Sequence, residues 1–288
     1  MNETTKNYLL LHLVVVIFGF TGILGKLITI DAEPLVFWRA GIGGMVIAVW
    51  LAARGKITTK SPSTLLKMAG VGLLVAAHWI TFFASIKAST VSVALVMFAT
   101  APMFVGLLEP LVFRRRIDPR ELAISAIVLL GVGTIFSLSS GYKLGMTLGI
   151  ISAFLAALFA TLNGVLVKTY DASNISMVEL LVACLGTGIL LAITGDFNSE
   201  LIYLSSKDWL LISVLAVVAT SFAFIASTHV MKVLTPFTTT IAINLEPIYS
   251  IVLAVLIFGD EEVMDLNFYI GASLIIGAII LNTFIKRK

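Results

Sequence analysis

Two titratable side chains stand inside long apolar runs: Glu246 in INLEPIYSIVLAVLIFGDEE (243–262) and His78 in AAHWITFF (76–83). A charged group at the centre of a bilayer costs about 2.5–3.5 kcal/mol on insertion scales, so such residues mark solute pathways, proton relays or partners within a helix bundle. Glu246 can exchange a proton or pair with a charged group on a substrate; a structural carboxylate bonded to a neighbouring helix is the plainer reading. The imidazole of His78 can change charge near neutral pH. Phe82 follows four residues later on the same helical face. A histidine on an aromatic-lined cavity suits an amphipathic metabolite, and a neutral histidine bonded across helices is the alternative. In FATLNGVLVK (159–168), Asn163 falls on the face of Phe159, again four residues apart. Met97 offers a soft, adaptable side chain. Asn244 precedes Glu246 by two and points elsewhere. The candidate substrate-binding set is therefore His78, Phe82, Met97, Phe159, Asn163, Asn244 and Glu246.

Pro102, Pro110 and Pro247 also lie well inside apolar runs. Each removes a backbone donor and frees a carbonyl one turn back, which for Pro247 is that of Ile243. Freed groups at membrane depth need protein or water partners. The three prolines are candidate kinks or gates of a moving helix, against the alternative of ordinary packing kinks.

The elements that must position these residues are transmembrane helices. The chain has 288 residues, 59% hydrophobic and 12% charged, with a mean hydropathy of +1.07; soluble proteins carry roughly 25% charged residues. Apolar runs near 20 residues recur from end to end, each long enough to span a bilayer. Ten spans are expected, over 7–29, 34–53, 65–86, 90–113, 121–139, 144–168, 175–195, 208–230, 235–258 and 267–285. The loops are too short to fold alone, so residues 1–288 read as a single membrane domain. The N-terminal run lacks a small-residue cleavage site and reads as a retained first span. The lone cysteine, Cys184, permits no intramolecular disulfide. The net charge of +3 belongs to loops and implies no nucleic acid partner.

Basic residues orient the bundle. With the N-terminus in the cytoplasm, 14 Lys and Arg fall in cytoplasmic segments and 3 outside, with Lys26 and Arg39 inside spans. That asymmetry puts both termini in the cytoplasm. Lys26 and Arg39 then lie near the outer ends of spans 1 and 2. Snorkelling accounts for both, and an outer ring that attracts carboxylates is the sharper reading. Glu109 and Glu179 lie about one turn from the cytoplasmic boundary and read as structural, Glu109 within reach of Arg115 or Arg116.

The chain also resembles itself. TAPMFVGLLEPLVFRRR (100–116) and LEPIYSIVLAVLIFGDE (245–261) align at a shift of 145, which sets Pro102 on Pro247, Phe113 on Phe258, Ala101 on Glu246 and Lys87 on Lys232. A shift of 142 sets Gly22 on Gly164 and Lys26 on Lys168. Five spans per half is an odd number, so the halves, 1–140 and 141–288, enter the membrane from opposite sides. Inverted repeats of this kind are a mark of secondary transporters.

FGFTGILGK (18–26), EPLVFWRAG (33–41), HWITFFASIKAST (78–90) and the E-P, acid-ended stretch of span 9 make the chain similar to an EamA-type permease of the drug/metabolite transporter superfamily. The resemblance covers nearly the whole chain. It implies an all-α polytopic membrane protein of ten transmembrane helices in two inverted five-helix repeats. It also implies a carrier of small metabolites in the bacterial inner membrane, often an exporter of amino acids or related solutes. The cavity would be lined by spans 1, 3, 4, 6, 8 and 9, with spans 5 and 10 peripheral. One departure is visible: family members often carry an acid near the end of span 4, where this chain has Arg114, Arg115 and Arg116.

Other classes have less in their favour. There is no HExxH, no Cys/His cluster and no GxxxxGK[ST] loop. KTYDAS and AITGDF match pieces of intramembrane aspartyl proteases, but Ile193 replaces the required first glycine. A channel would want rings of like residues around an oligomeric axis, so a monomer is expected. A receptor or structural membrane protein stays open as an alternative. The expected partners are a small-molecule substrate, a proton as the coupling ion to be tested, and the lipid bilayer; no cofactor or metal is expected, and energy would come from gradients.

Overall fold

The computed structural model describes residues 2–58, 61–138, 140–198, 201–243 and 245–285, and among them every regular element is helical. In chain order the α-helices are α1 (Glu3–Gly19), α2 (Thr21–Leu27), α3 (Ala32–Ala52), α4 (Pro62–Ala88), α5 (Val91–Phe98), α6 (Ala101–Phe113), α7 (Pro119–Leu138), α8 (Lys143–Leu166), α9 (Ala172–Thr194), α10 (Ser206–Ala216), α11 (Ala223–Val230), α12 (Pro236–Ile243), α13 (Glu246–Phe258) and α14 (Leu266–Ile285). Hydrocarbon offers backbone groups no partner, so a spanning segment satisfies them within its own helix. Eight stretches are long and apolar enough to cross a membrane: Glu3–Leu27, Ala32–Ala52, Pro62–Ala88, Val91–Phe113, Lys143–Leu166, Ala172–Thr194, Ser206–Val230 and Pro236–Glu262. The protein is thus a multi-pass membrane protein. Among the described residues α7 and α14 carry the apolar stretches Ala123–Ile135 and Leu266–Ala278, and these two helices pack on each other through Ile135, Phe268 and Ile275.

Polar residues set where helices begin. Ser61, Thr90, Asp171 and Ser205 each accept a hydrogen bond from a backbone N–H of the helix that follows, as N-caps do. Gly195 closes α9 at φ 86°, a left-handed conformation that glycine adopts without a Cβ clash.

Four of the eight stretches are interrupted. The α1–α2 stretch breaks at Phe20. Prolines stand in the first turns of α6 (Pro102) and α13 (Pro247), where a missing N–H costs least. Both sequence-expected kinks are therefore helix restarts. Pro110 lies within α6, which runs on through it to Phe113. Between α10 and α11, residues 217–222 form a π-helical turn.

Cross-ties mark the two ends of the bundle. At the end where α1 starts, here the near end, Thr58 donates to Asn174 and the N–H of Phe237 donates to Glu109. At the far end Lys26 meets Glu262, Thr29 donates to Asp208, and Lys87 donates to the Ile28 carbonyl.

Candidate substrate cavity

The helix interruptions converge on one cavity. It is lined by Phe18 and Thr21 beside the first break, Phe98 and Ala101 across the second, and Ile243 and Glu246 across the third. Arg39, His78, Trp79, Phe82, Ala156, Phe159, Ala160, Phe224, Ser227, Met231 and Thr240 complete the wall. Its volume is about 90 Å³, small beside the roughly 300–1,000 Å³ of most small-molecule sites, while its wall is, like theirs, mostly apolar with a few polar groups.

Arg39 is 2% exposed. Its Nε donates to Thr220 Oγ1 at 2.7 Å, and Nη2 reaches the Ala219 carbonyl at 3.4 Å. The guanidinium lies 3.9 Å from the centre of the Trp79 ring and 5.5 Å from that of Phe83, an attraction worth about 2 kcal/mol when desolvated. The π turn serves this arrangement. Thr220 Oγ1 donates five residues back, to the Leu215 carbonyl, and so keeps its lone pairs for Arg39. Such turns recur at functional sites. Nη1 of Arg39 has no hydrogen-bond partner among the described residues.

Glu246 is 4% exposed and stands in the first turn of α13, where the helix dipole favours a carboxylate. No ion pair within 4.0 Å joins it to Arg39. A basic and an acidic side chain thus share one largely aromatic cavity without an ion pair between them.

His78 is held from outside the cavity. Its Nδ1 lies 3.0 Å from the Ser152 carbonyl and 2.9 Å from Ser152 Oγ, and Ser152 Oγ lies 3.2 Å from the His78 carbonyl. In the tautomer with Nδ1 protonated, the ring donates to the Ser152 carbonyl and Nε2 is an acceptor. The ring stacks on Phe98 at 5.5 Å and 28°, with Phe159 at 5.4 Å and Phe82 at 6.2 Å. Phe224 continues the wall, 6.1 Å from Phe159 and 5.9 Å from Trp79.

The structure brings His78, Phe82, Phe159 and Glu246 together on this wall. Met97 is elsewhere: it is fully buried in the second core, against Gly149, and its neighbour Phe98 faces the cavity instead. Asn163 is elsewhere too. Its Nδ2 donates to Glu179 Oε2 at 3.0 Å, in the contact between α8 and α9. The cavity wall on α8 ends at Ala160, so four residues after Phe159 the same face is already packed against a helix. Asn244 lies outside the described residues. Of the prolines, none lines the cavity, but Pro102 and Pro247 each follow directly on a lining residue, Ala101 and Glu246.

Arg39, Phe98, Trp79 and Phe224 are among the lining residues that sequence reasoning passed over. Snorkelling fails for Arg39, which is enclosed, and Trp79 packs on the guanidinium. A signal existed: Arg39 stands two turns into α3, about 10 Å along the axis, which is deep for a side chain that must reach water. The resemblance also left span 2 off the cavity wall, and Arg39 puts it there.

The comparisons with known proteins fit this architecture. The model of the EamA-like transporter family matches the chain twice, over residues 5–137 and 143–284. This chain belongs to the EamA-like transporter family. A relative in Bacillus subtilis (strain 168), named uncharacterized transporter YxxF, is 24% identical over 277 residues, covering 95% of this chain and 88% of that protein. A solved crystal structure superposes with a TM-score of 0.72 at 16% identity, covering 98% of this chain and 99% of the other, which is a likeness of fold. The protein is a membrane transporter.

For this EamA-like transporter, removal of the ring that both lines the cavity and ties α4 to α8 should show in two readouts. His78→Ala should lower transport at least tenfold and lower the melting temperature in detergent. Ser152→Ala loosens the ring without removing it and should give the smaller loss of transport. Wild-type transport kinetics in a stable His78→Ala variant would take His78 out of the site.

Proposed function

We propose that the protein is a secondary transporter that moves a small amphipathic metabolite, an amino acid or a related solute, across the bacterial inner membrane by alternating access. The observation that carries this reading is that Arg39 and Glu246 line one aromatic cavity, with Arg39 Nη1 free of any hydrogen-bond partner among the described residues. A solute with a carboxylate, an ammonium group and an apolar body complements all three features. The cavity wall runs from Arg39 and Phe98 to Met231, past the near end of α11, and includes none of the far-end cluster around Lys26 and Glu262. With the near end in the cytoplasm, as the basic residues indicate, this shape suits loading from inside and hence export. Glu246 either pairs with the solute or exchanges a proton during the cycle.

In the same reading α7 and α14 are the fifth and tenth spans. Residues 1–140 and 141–288 are inverted five-helix repeats within one membrane domain, which the two matches to the family model support. The working unit in this reading is a monomer. Purified protein in proteoliposomes should exchange labelled leucine or phenylalanine across the bilayer. A protein that binds these solutes but passes none would be a receptor instead. Both termini should be cytoplasmic; a C-terminal alkaline phosphatase fusion active in the periplasm would refute the orientation.

A further inference from the structure

The two ends of the bundle hold the same parts in different arrangements. At the far end, Glu262 accepts from the backbone N–H groups of Val91 and Ser92 and from Ser92 Oγ, at 3.0, 2.9 and 2.8 Å. The end of α13 thereby caps the start of α5. Lys26 closes this cluster, 2.9 Å from Glu262 and 3.0 Å from Glu261, with its ammonium 4.3 Å from the centre of the Phe258 ring. At the near end the reciprocal cap exists: Glu109, on α6, accepts from the N–H of Phe237 at the start of α12, at 2.9 Å, with Arg115 Nε at 3.5 Å. Glu109 thus supplies, about two turns before the positions that match Asp260–Glu262, the acid that the Arg114–Arg116 run lacks.

The internal repeat maps one end onto the other. Lys26 corresponds to Lys168, Phe258 to Phe113, and Val91 and Ser92 to Pro236 and Phe237. The packing respects the same map. A Cβ on Gly22 would press on Val91, and a Cβ on its counterpart Gly164 would press on Pro236 and on Phe113. So α8 approaches the Glu109 cap as α2 approaches the Glu262 cap. The lysines differ, and so do the acids' places: at the shift of 145, Glu109 matches Ala254 and Glu262 matches Ile117. Lys168 donates to the carbonyls of Met231 and Lys232, both at 2.9 Å. The matching positions at the far end are Ile86 and Lys87, at the close of α4, and Ile86 lies within reach of Gly22 and Gly25.

From this we infer that Lys26 and Lys168 are alternating latches: in the opposite state of the cycle Lys168 pairs with Glu109 beside Phe113 and closes the near end, while Lys26 leaves Glu262 for the carbonyls of Ile86 and Lys87. The inference rests on the alternating-access reading above. An inverted repeat lets each half adopt the arrangement now held by the other, and the lysine exchange is the smallest change that swaps the two ends. Breaking one latch must then favour the other, because both report a single equilibrium.

The test uses the full chain with Cys184→Ala as background. Lys168→Cys with Glu109→Cys reports closure of the near end by oxidative cross-linking. Ala101→Cys, made separately, reports which face of the membrane reaches the cavity, through an impermeant thiol reagent. Adding Glu262→Gln should raise the cross-linking yield severalfold and should make Ala101→Cys reactive from the far side. Lys26→Gln should do the same, and it keeps the Glu262 cap should Glu262→Gln fail to fold. Far-side reactivity with unchanged cross-linking overturns the latch exchange and leaves alternating access standing. No change in either readout, in both variants, overturns the two together.

Discussion

Arg39→Gln should weaken substrate binding thirtyfold or more and reduce transport at least in proportion. Removing one partner of a buried, hydrogen-bonded charge pair costs about 2–5 kcal/mol, and each 1.4 kcal/mol is a factor of ten. Arg39 meets that description on the protein side, since Nε and Nη2 are occupied by Thr220 and Ala219 and the guanidinium is stacked on Trp79. Nη1 is the donor left for a solute carboxylate. Arg39→Lys keeps the charge but loses the fork, so it should recover part of the affinity and little of the selectivity for a carboxylate. Equilibrium binding of labelled leucine or phenylalanine to purified protein, beside flux in proteoliposomes, separates affinity from turnover. Wild-type affinity in a folded Arg39→Gln variant would mean that Arg39 only buttresses the π turn, and the zwitterion reading would fall with it.

That expectation was not legible in the sequence, and the reason is geometric. Apolar runs and loop charges reveal where helices lie because bilayer thickness and backbone satisfaction leave few options. Pro102 and Pro247 announced two of the breaks for the same kind of reason, a missing donor at membrane depth. Which face of a helix meets a cavity depends on its neighbours. Phe159 and Asn163 share a face on α8, yet one meets the cavity and the other meets Glu179 on α9. Met97 and Phe98 are adjacent, and the restart of the helix just beyond them decides which one turns inward. Nothing in the sequence of α3 shows that a π turn 180 residues away will present Thr220 to Arg39. The repeat was the most useful signal, because it relates positions that no local pattern connects: Ala101 and Glu246 stand at matching restarts and both line the cavity.

Glu246→Gln should abolish accumulation driven by a pH gradient, a loss of at least tenfold, while folding and downhill exchange persist. The pair Glu246-Pro247 explains why these effects should separate. A proline in the first turn of α13 sacrifices no hydrogen bond, because that N–H has no intrahelical acceptor. The restart it permits puts the carboxylate on the cavity and not on lipid, at the end of a helix whose dipole favours negative charge. Ala101 occupies the matching place at the start of α6, so the acid is an addition to one half and the helix break does not require it. Glutamine keeps the size of the side chain and its capacity to hydrogen-bond, and it removes only the titration. In proteoliposomes with an imposed pH gradient, uptake and exchange can be followed on the same preparation. Should Glu246→Gln accumulate solute to the wild-type level, the carboxylate carries no proton through the cycle. Should it instead lose binding along with accumulation, the charge is the partner of a cationic group on the solute, and the coupling lies elsewhere.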